Sequence, residues 1–161
     1  MKTVNKSNHS SFVDLDNARV EEQRQVMRDI IAAGHCPFCR ENLDKYHKQP
    51  MLKEGKFWLL TYNQWPYQFT KLHLLAIYKT HAEKLSELDS AAGQELIQML
   101  QWAEKEFNVP GGAFAIRFGD TNYSAGTVAH IHAQFILPDI HHPDYLQKPV
   151  KIKVGKTTEL K

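Results

Sequence analysis

The 161-residue chain has only two cysteines, Cys36 and Cys39, three positions apart. So close a pair cannot staple a small secreted scaffold, which excludes the disulfide-framework class and fits a reducing, cytoplasmic setting. An excess of charge is missing too: 20 Lys and Arg against 18 Asp and Glu leave a formal net charge of +2. Such a balance provides neither the basic stripe of a nucleic-acid binder nor an acidic tail. Lys148, Lys151, Lys153, Lys156 and Lys161 make the C-terminal end locally basic, which reads as a solvated end. No apolar stretch approaches the roughly 20 residues of a membrane span. Residues 1–6 lack the apolar run of a signal peptide. No repeat or low-complexity tract interrupts the chain. The expectation is a flexible N-terminus over residues 1–15 and a single domain over 16–161, large enough for a real hydrophobic core.

Periodicity supplies the elements. Asp16 or Asn17 is placed to cap a helix running to about Ala33, with Gly34 as its stop. A cysteine turn and a polar loop over 41–50 follow. Met51-Leu52 and Phe57-Trp58-Leu59-Leu60 read as a hairpin around Glu54-Gly55, and Leu74-Leu75-Ala76-Ile77-Tyr78 as an apolar strand. Asp89 or Ser90 starts a long helix with Ala92, Leu96, Met99, Leu100, Ala103 and Phe107 at helical spacing, ended by Pro110-Gly111-Gly112. Residues 114–118 and 129–137 are two more strands, joined by a Gly/Ser/Asn-rich connection at 119–127. Helix, strands, helix, strands in that order predicts an α+β domain built on an antiparallel sheet.

The segment that carries chemistry is His130-Ile131-His132-Ala133-Gln134-Phe135. Successive side chains of a strand face opposite ways, so His130, His132 and Gln134 share one face. Ile131, Ala133 and Phe135 take the other, which suits a core. Cys36-Pro37-Phe38-Cys39 has zinc-ligand spacing, and it also reads as a redox turn or as inert buried thiols. A redox turn normally follows a strand and opens a helix, whereas here a helix precedes the pair. Zinc needs two ligands more than the cysteines supply, and nine histidines are available.

Taken together these motifs resemble the histidine triad (HIT) superfamily. His130-Ile131-His132-Ala133-Gln134 matches its His-x-His-x-Gln form, the branch of diadenosine tetraphosphate phosphorylase and galactose-1-phosphate uridylyltransferase. Asn63-Gln64-Trp65-Pro66-Tyr67, the His73 to His81 segment, and the trailing Leu85 and Leu88 resemble the family's upstream elements, so the likeness runs from about Cys36 to Pro138. It implies a HIT-like fold, an antiparallel sheet of about five strands with a long helix and an N-terminal helix. It also implies roles. His132 would be the nucleophile that carries the nucleotide, with Gln134 beside it in the catalytic motif. Cys36, Cys39, His81 and His130 would hold a structural zinc. Asn63 would lie near ribose and phosphates, and Gly126 and Thr127 near a phosphate. Members pair as dimers, so the resemblance implies a homodimer. Tyr78 stands where the family has proline, and Gly126 where its polyphosphate hydrolases carry glutamine.

Chemistry follows from the residue types. Imidazole has a neutral, lone-pair-bearing fraction near its pKa of about 6.5, so one ring nitrogen attacks while the other stays protonated against an acceptor. An amide at Gln134 cannot deliver a proton, which disfavours amine leaving groups and favours nucleoside polyphosphates or nucleotide-activated phosphates. The reading is a cytoplasmic nucleotide hydrolase or nucleotidyltransferase working through covalent nucleotidyl-His132. A non-catalytic nucleotide-binding protein on the same fold is the alternative, and a metallohydrolase with His130 and His132 on an open zinc is another. His73 reads as packing or hydrogen bonding. Among the tryptophans, Trp65 beside Asn63 is the candidate to flank a nucleobase.

Overall fold

Alternation along three strands decides the architecture. In β2 (Trp58–Tyr62), Trp58 and Leu60 enter one core and Leu59 another. In β3 (Thr70–Tyr78), Leu74, Ala76 and Tyr78 go one way and Leu75 and Ile77 the other. In β5 (His132–Pro138), Ala133 and Phe135 join the first core, so His132 and Gln134 face the opposite side. With β1 (Met51–Glu54) and β4 (Ala113–Arg117) these strands form one antiparallel five-stranded sheet in the order β1-β2-β3-β5-β4, as the computed structural model, which describes residues 12–156, presents it.

One face is covered by a long helix, α3 (Ser90–Glu106), started by Asp89, whose carboxylate accepts the Ala91 N–H at 2.8 Å. Ala92, Leu96, Met99, Leu100 and Ala103 are its buried stripe and pack on Trp58, Leu60 and Leu74. Glu95 of the same helix accepts the backbone N–H groups of Lys56, Phe57 and Trp58 at 2.9 to 3.0 Å, fastening the β1–β2 hairpin to the helix. A side chain at Gly55 would place its Cβ 2.0 Å from Glu95 Oε1 and would push that carboxylate off the hairpin.

The other face carries α1 (Glu21–Ala33) and α2 (Arg40–Tyr46). Leu43 of α2 packs with Leu59, Leu75 and Ile77, while Met27 and Ile30 of α1 pack with Val13 and Val128. Gly34 adopts the left-handed conformation (φ 69°) that terminates α1, as expected of a helix stop. That helix starts later than Asp16 or Asn17. Asp14 caps a short 3-10 turn at Leu15–Asn17, and Gln23 Oε1 accepts the Arg19 N–H at 2.9 Å ahead of the helix proper.

Several other elements depart from the sequence reading. The polar stretch 41–50 contains α2, and the 119–127 connection contains a single helical turn, α4 (Thr121–Ser124). Of the expected loose residues 1–15, those numbered 1–11 lie outside the described residues. Val13 and Asp14 are buried, and the segment pairs with the loop before β5: Asp14 N–H donates to Thr127 O at 2.9 Å and Ala129 N–H to Phe12 O at 2.8 Å. His130 and Ile131 precede β5 rather than belonging to it. No helix among the described residues is long and apolar enough to cross a membrane.

Candidate active site

The turn between α1 and α2 brings Cys36 and Cys39 against the residues that flank β3 and β5. Cys36 Sγ lies 3.3 Å from His130 Nδ1, and Cys39 Sγ lies 3.5 Å from His81 Nδ1 and 4.0 Å from His130 Nδ1. The four ligand atoms all fall within 4.8 Å of one another. A tetrahedral zinc with S and N ligands spaces them roughly 3.3–3.8 Å apart, so this donor set fits the ion in type and number, and its widest separations exceed that spacing by about 1 Å. The two imidazoles turn their Nε2 atoms away from the cluster, and His130 is held in the ligating tautomer. His130 Nε2 donates to Tyr78 O at 2.6 Å and His81 Nε2 lies 3.5 Å from Glu83 Oε1, leaving each Nδ1 free to ligate. Burial pushes the Cys36 thiol up, and burial with Cys36 beside it pushes Cys39 up to about 12. Neither is a ready thiolate, which argues against a redox turn, and a dication is what would ionise them.

Because His130 sits in the bend before β5, its ring reaches the cysteines while its carbonyl points along the chain. That carbonyl accepts a hydrogen bond from His132 Nδ1 at 2.7 Å. His132 Nε2 therefore carries the lone pair. Burial, with the Arg117 charge adding to it, holds His132 down at about 4, so the ring is neutral near pH 7. His132 is not one of the four clustered ligands, which removes the geometric basis for an open zinc site using it.

His132 borders a cavity of about 280 Å³ between the sheet, α1 and the N-terminal segment. Its apolar side is built from Met27, Ile30, Phe38, Trp65 and Leu75, and the Phe38 ring stands edge-on to His132 with centroids 5.3 Å apart. Arg19, Arg117, Lys151 and Lys153 give the opposite character. Trp65 Nε1 is a buried polar atom with no hydrogen-bond partner among the described residues, and its residue lines this cavity together with Gln134, whose side chain meets His73. Buried polar groups are normally satisfied, so the Trp65 N–H is a contact held for a ligand or water.

The remaining sequence-derived residues divide. Asn63 lines the cavity, but its Oδ1 accepts the Trp65 N–H at 2.9 Å and its amide nitrogen lies 3.0 Å from His73 Nε2, so it also holds the 63–67 turn in shape. Thr127 lines the cavity with its hydroxyl donating to Asn17 O at 3.3 Å. Gly126 is buried below it: its N–H donates to Ser124 Oγ and its carbonyl accepts from Asn17. A Cβ there would stand 3.3 Å from Ser124 Oγ and in ordinary contact, 3.5 Å, with Arg117 Cδ. His73, read as structural, accepts the Tyr67 N–H at 3.1 Å. Sequence reasoning missed Arg117 and Arg19. The signal for Arg117 is a lone arginine in the apolar run Phe114-Ala115-Ile116-Arg117, and Arg19 has none.

Sheet order, helices and the His130–His132 bend together define the histidine triad (HIT-like) fold. Known structures agree. A hypothetical protein from Leishmania major superposes with a TM-score of 0.55 at 22% identity, over 80% of this chain and 85% of that one. A histidine triad protein from Clostridium difficile gives 0.51 at 20% identity, over 68% and 95%. A hypothetical histidine triad nucleotide-binding protein from Sulfolobus tokodaii gives 0.50 at 22%, over 76% and 81%. At these identities the likeness is one of fold. No family sequence model matches the chain, and no curated protein does.

Proposed function

We propose that the chain is a nucleotide hydrolase or nucleotidyltransferase of the histidine triad superfamily, in its His-x-His-x-Gln branch, acting on nucleoside polyphosphates or nucleotide-activated phosphates through covalent nucleotidyl-His132. The observation that carries this is the 2.7 Å bond from His132 Nδ1 to His130 O, which leaves a neutral ring with its lone pair on Nε2 beside the cavity.

In the first step the Nε2 lone pair attacks the phosphorus that bears the nucleoside. The N–P bond forms as the P–O bond to the leaving phosphate breaks, and the leaving group takes the bonding pair as an oxyanion. No proton need move, because an ionised phosphate is stable at neutral pH and Gln134 has none to give. The proton stays on Nδ1, hydrogen-bonded to the His130 carbonyl oxygen, which stabilises the positive charge that develops on the ring. Water or a phosphate then attacks the same phosphorus and frees Nε2. Cys36, Cys39, His81 and His130 would hold a structural zinc, which fixes the backbone at His130 and so the acceptor for His132. Phe38 and Trp65 provide flat apolar surface suited to a nucleobase. The working form is a cytoplasmic homodimer.

Incubation with dinucleoside polyphosphates and nucleotide sugars, with and without inorganic phosphate, tests the reading. Turnover that is lost in His132→Ala while nucleotide binding persists supports it. Equal nucleotide binding by both proteins with no turnover by either contradicts it.

A further inference from the structure

Arg117 is 8% exposed, and it is paired with His132 across β4 and β5. Directly opposed residues of an antiparallel pair have their side chains on the same face, with Cα atoms about 4.5–5.5 Å apart. The guanidinium is therefore a neighbour of the His132 ring. Two contacts fix it: one nitrogen donates to Ser124 O and the other to the Tyr67 hydroxyl at 3.0 Å. Arg19 arrives from the far end of the chain onto the same tyrosine. Its Cζ lies 4.1 Å from the Tyr67 ring centroid, and it donates to Trp65 O. Tyr67 thus carries one guanidinium on its hydroxyl and another on its face.

Neither arginine has a carboxylate within ion-pair distance among the described residues. Holding two cations together, one of them buried, without a counter-charge is costly, and neutral carbonyl and phenol partners do not cancel it. Lys151 and Lys153 add cationic groups to the lining. For a chain of formal net charge +2 this is a concentration of positive charge at one cavity. Planar guanidiniums match phosphate oxygens in a two-point geometry that ammonium groups do not.

We propose that Arg117 and Arg19, both anchored on Tyr67, form a clamp for a second ionised phosphate adjoining the one that His132 attacks, so that these two arginines set the preference for linked phosphates over a single one. The proposal rests on the catalytic reading of His132 for its register. Its test does not need the chemistry to occur.

Inorganic pyrophosphate and inorganic phosphate serve as probes, titrated calorimetrically into the full chain carrying His132→Asn at fixed ionic strength. The expected result is pyrophosphate binding at least tenfold tighter than phosphate. Adding Arg117→Ala should weaken pyrophosphate at least tenfold, and Arg19→Ala or Arg117→Lys by a smaller factor. If Arg117→Ala does not fold by circular dichroism, Arg117→Lys and Arg19→Ala carry the comparison. Equal affinity for the two anions, or pyrophosphate affinity indifferent to the arginine substitutions, overturns the clamp. Arginine-dependent pyrophosphate binding supports it even if the wild-type chain forms no histidine adduct. An adduct with arginine-independent binding upholds the catalytic reading and sinks the clamp alone.

Discussion

His130 performs two tasks through two different atoms: its Nδ1 stands 3.3 Å from Cys36 Sγ, and its carbonyl oxygen accepts a hydrogen bond from His132 Nδ1 at 2.7 Å. The metal-type cluster and the proposed nucleophile, His132, are thus joined through one residue's backbone. Loosening the cluster would free the His130 carbonyl to move, and the tautomer of His132 would no longer be specified.

A zinc measurement follows from that coupling. The purified chain is expected to hold close to one zinc per protomer by elemental analysis. Cys39→Ser should lower zinc content and thermal stability together, since a structural zinc contributes on the order of several kcal/mol to folding. His132→Ala should retain its zinc. Equal loss of metal from both variants would mean that the ligand set is wrong.

The hairpin fastening predicts a stability effect remote from the site. Glu95→Ala removes the acceptor of three backbone N–H groups and is expected to cost about 2 kcal/mol, the range for hydrogen bonds to a charged group. Glu95→Gln keeps one acceptor oxygen and should cost less. Chemical denaturation reads both, and catalytic turnover is expected to be unchanged. A Glu95→Ala chain as stable as wild type would remove Glu95 from its role as the hairpin's anchor.

Acid should destabilise the fold through His73. Burial, then the charge of Arg19, holds its folded-state pKa down at about 4, against about 6.5 for a free imidazole. Because the folded value is the lower one, the unfolded chain takes up a proton first. Stability from this site is therefore fully present above about pH 6.5 and declines as pH falls toward 4, by about 3 kcal/mol at most. His73→Gln should flatten that part of the stability profile relative to wild type. Parallel profiles for the two proteins between pH 7 and 4 would contradict the assignment.

How much of this was legible in the sequence depends on how local each signal is. The long helix over Ser90–Glu106 and the apolar strands were readable because their period repeats over many residues. The helix at Arg40–Tyr46 was not, since seven residues with Leu43 alone buried leave almost no periodic pattern. Strand alternation put His132 and Gln134 on one face correctly, yet it extended the strand to His130, which tertiary contacts with Cys36 and Tyr78 pull into a bend. The four metal-type ligands came from resemblance, because Cys36 and His130 are far apart in the chain and spacing alone cannot join them. Arg19 and Arg117 meet only through Tyr67, a contact no local pattern encodes. Asn63 was expected at the ligand, and its hydrogen bonds to Trp65 and the approach to His73 give it a scaffolding task as well.

The most direct measurement is the intact mass of the protein, rapidly quenched at neutral to alkaline pH during incubation with a dinucleoside polyphosphate. The expected result is a gain of one nucleoside monophosphate on the wild-type chain, acid-labile as a phosphorus–nitrogen bond is, located at residue 132 by fragmentation, and absent from His132→Ala. A wild-type chain that turns the substrate over with no such adduct, or a His132→Ala chain that still forms one, would contradict the central claim.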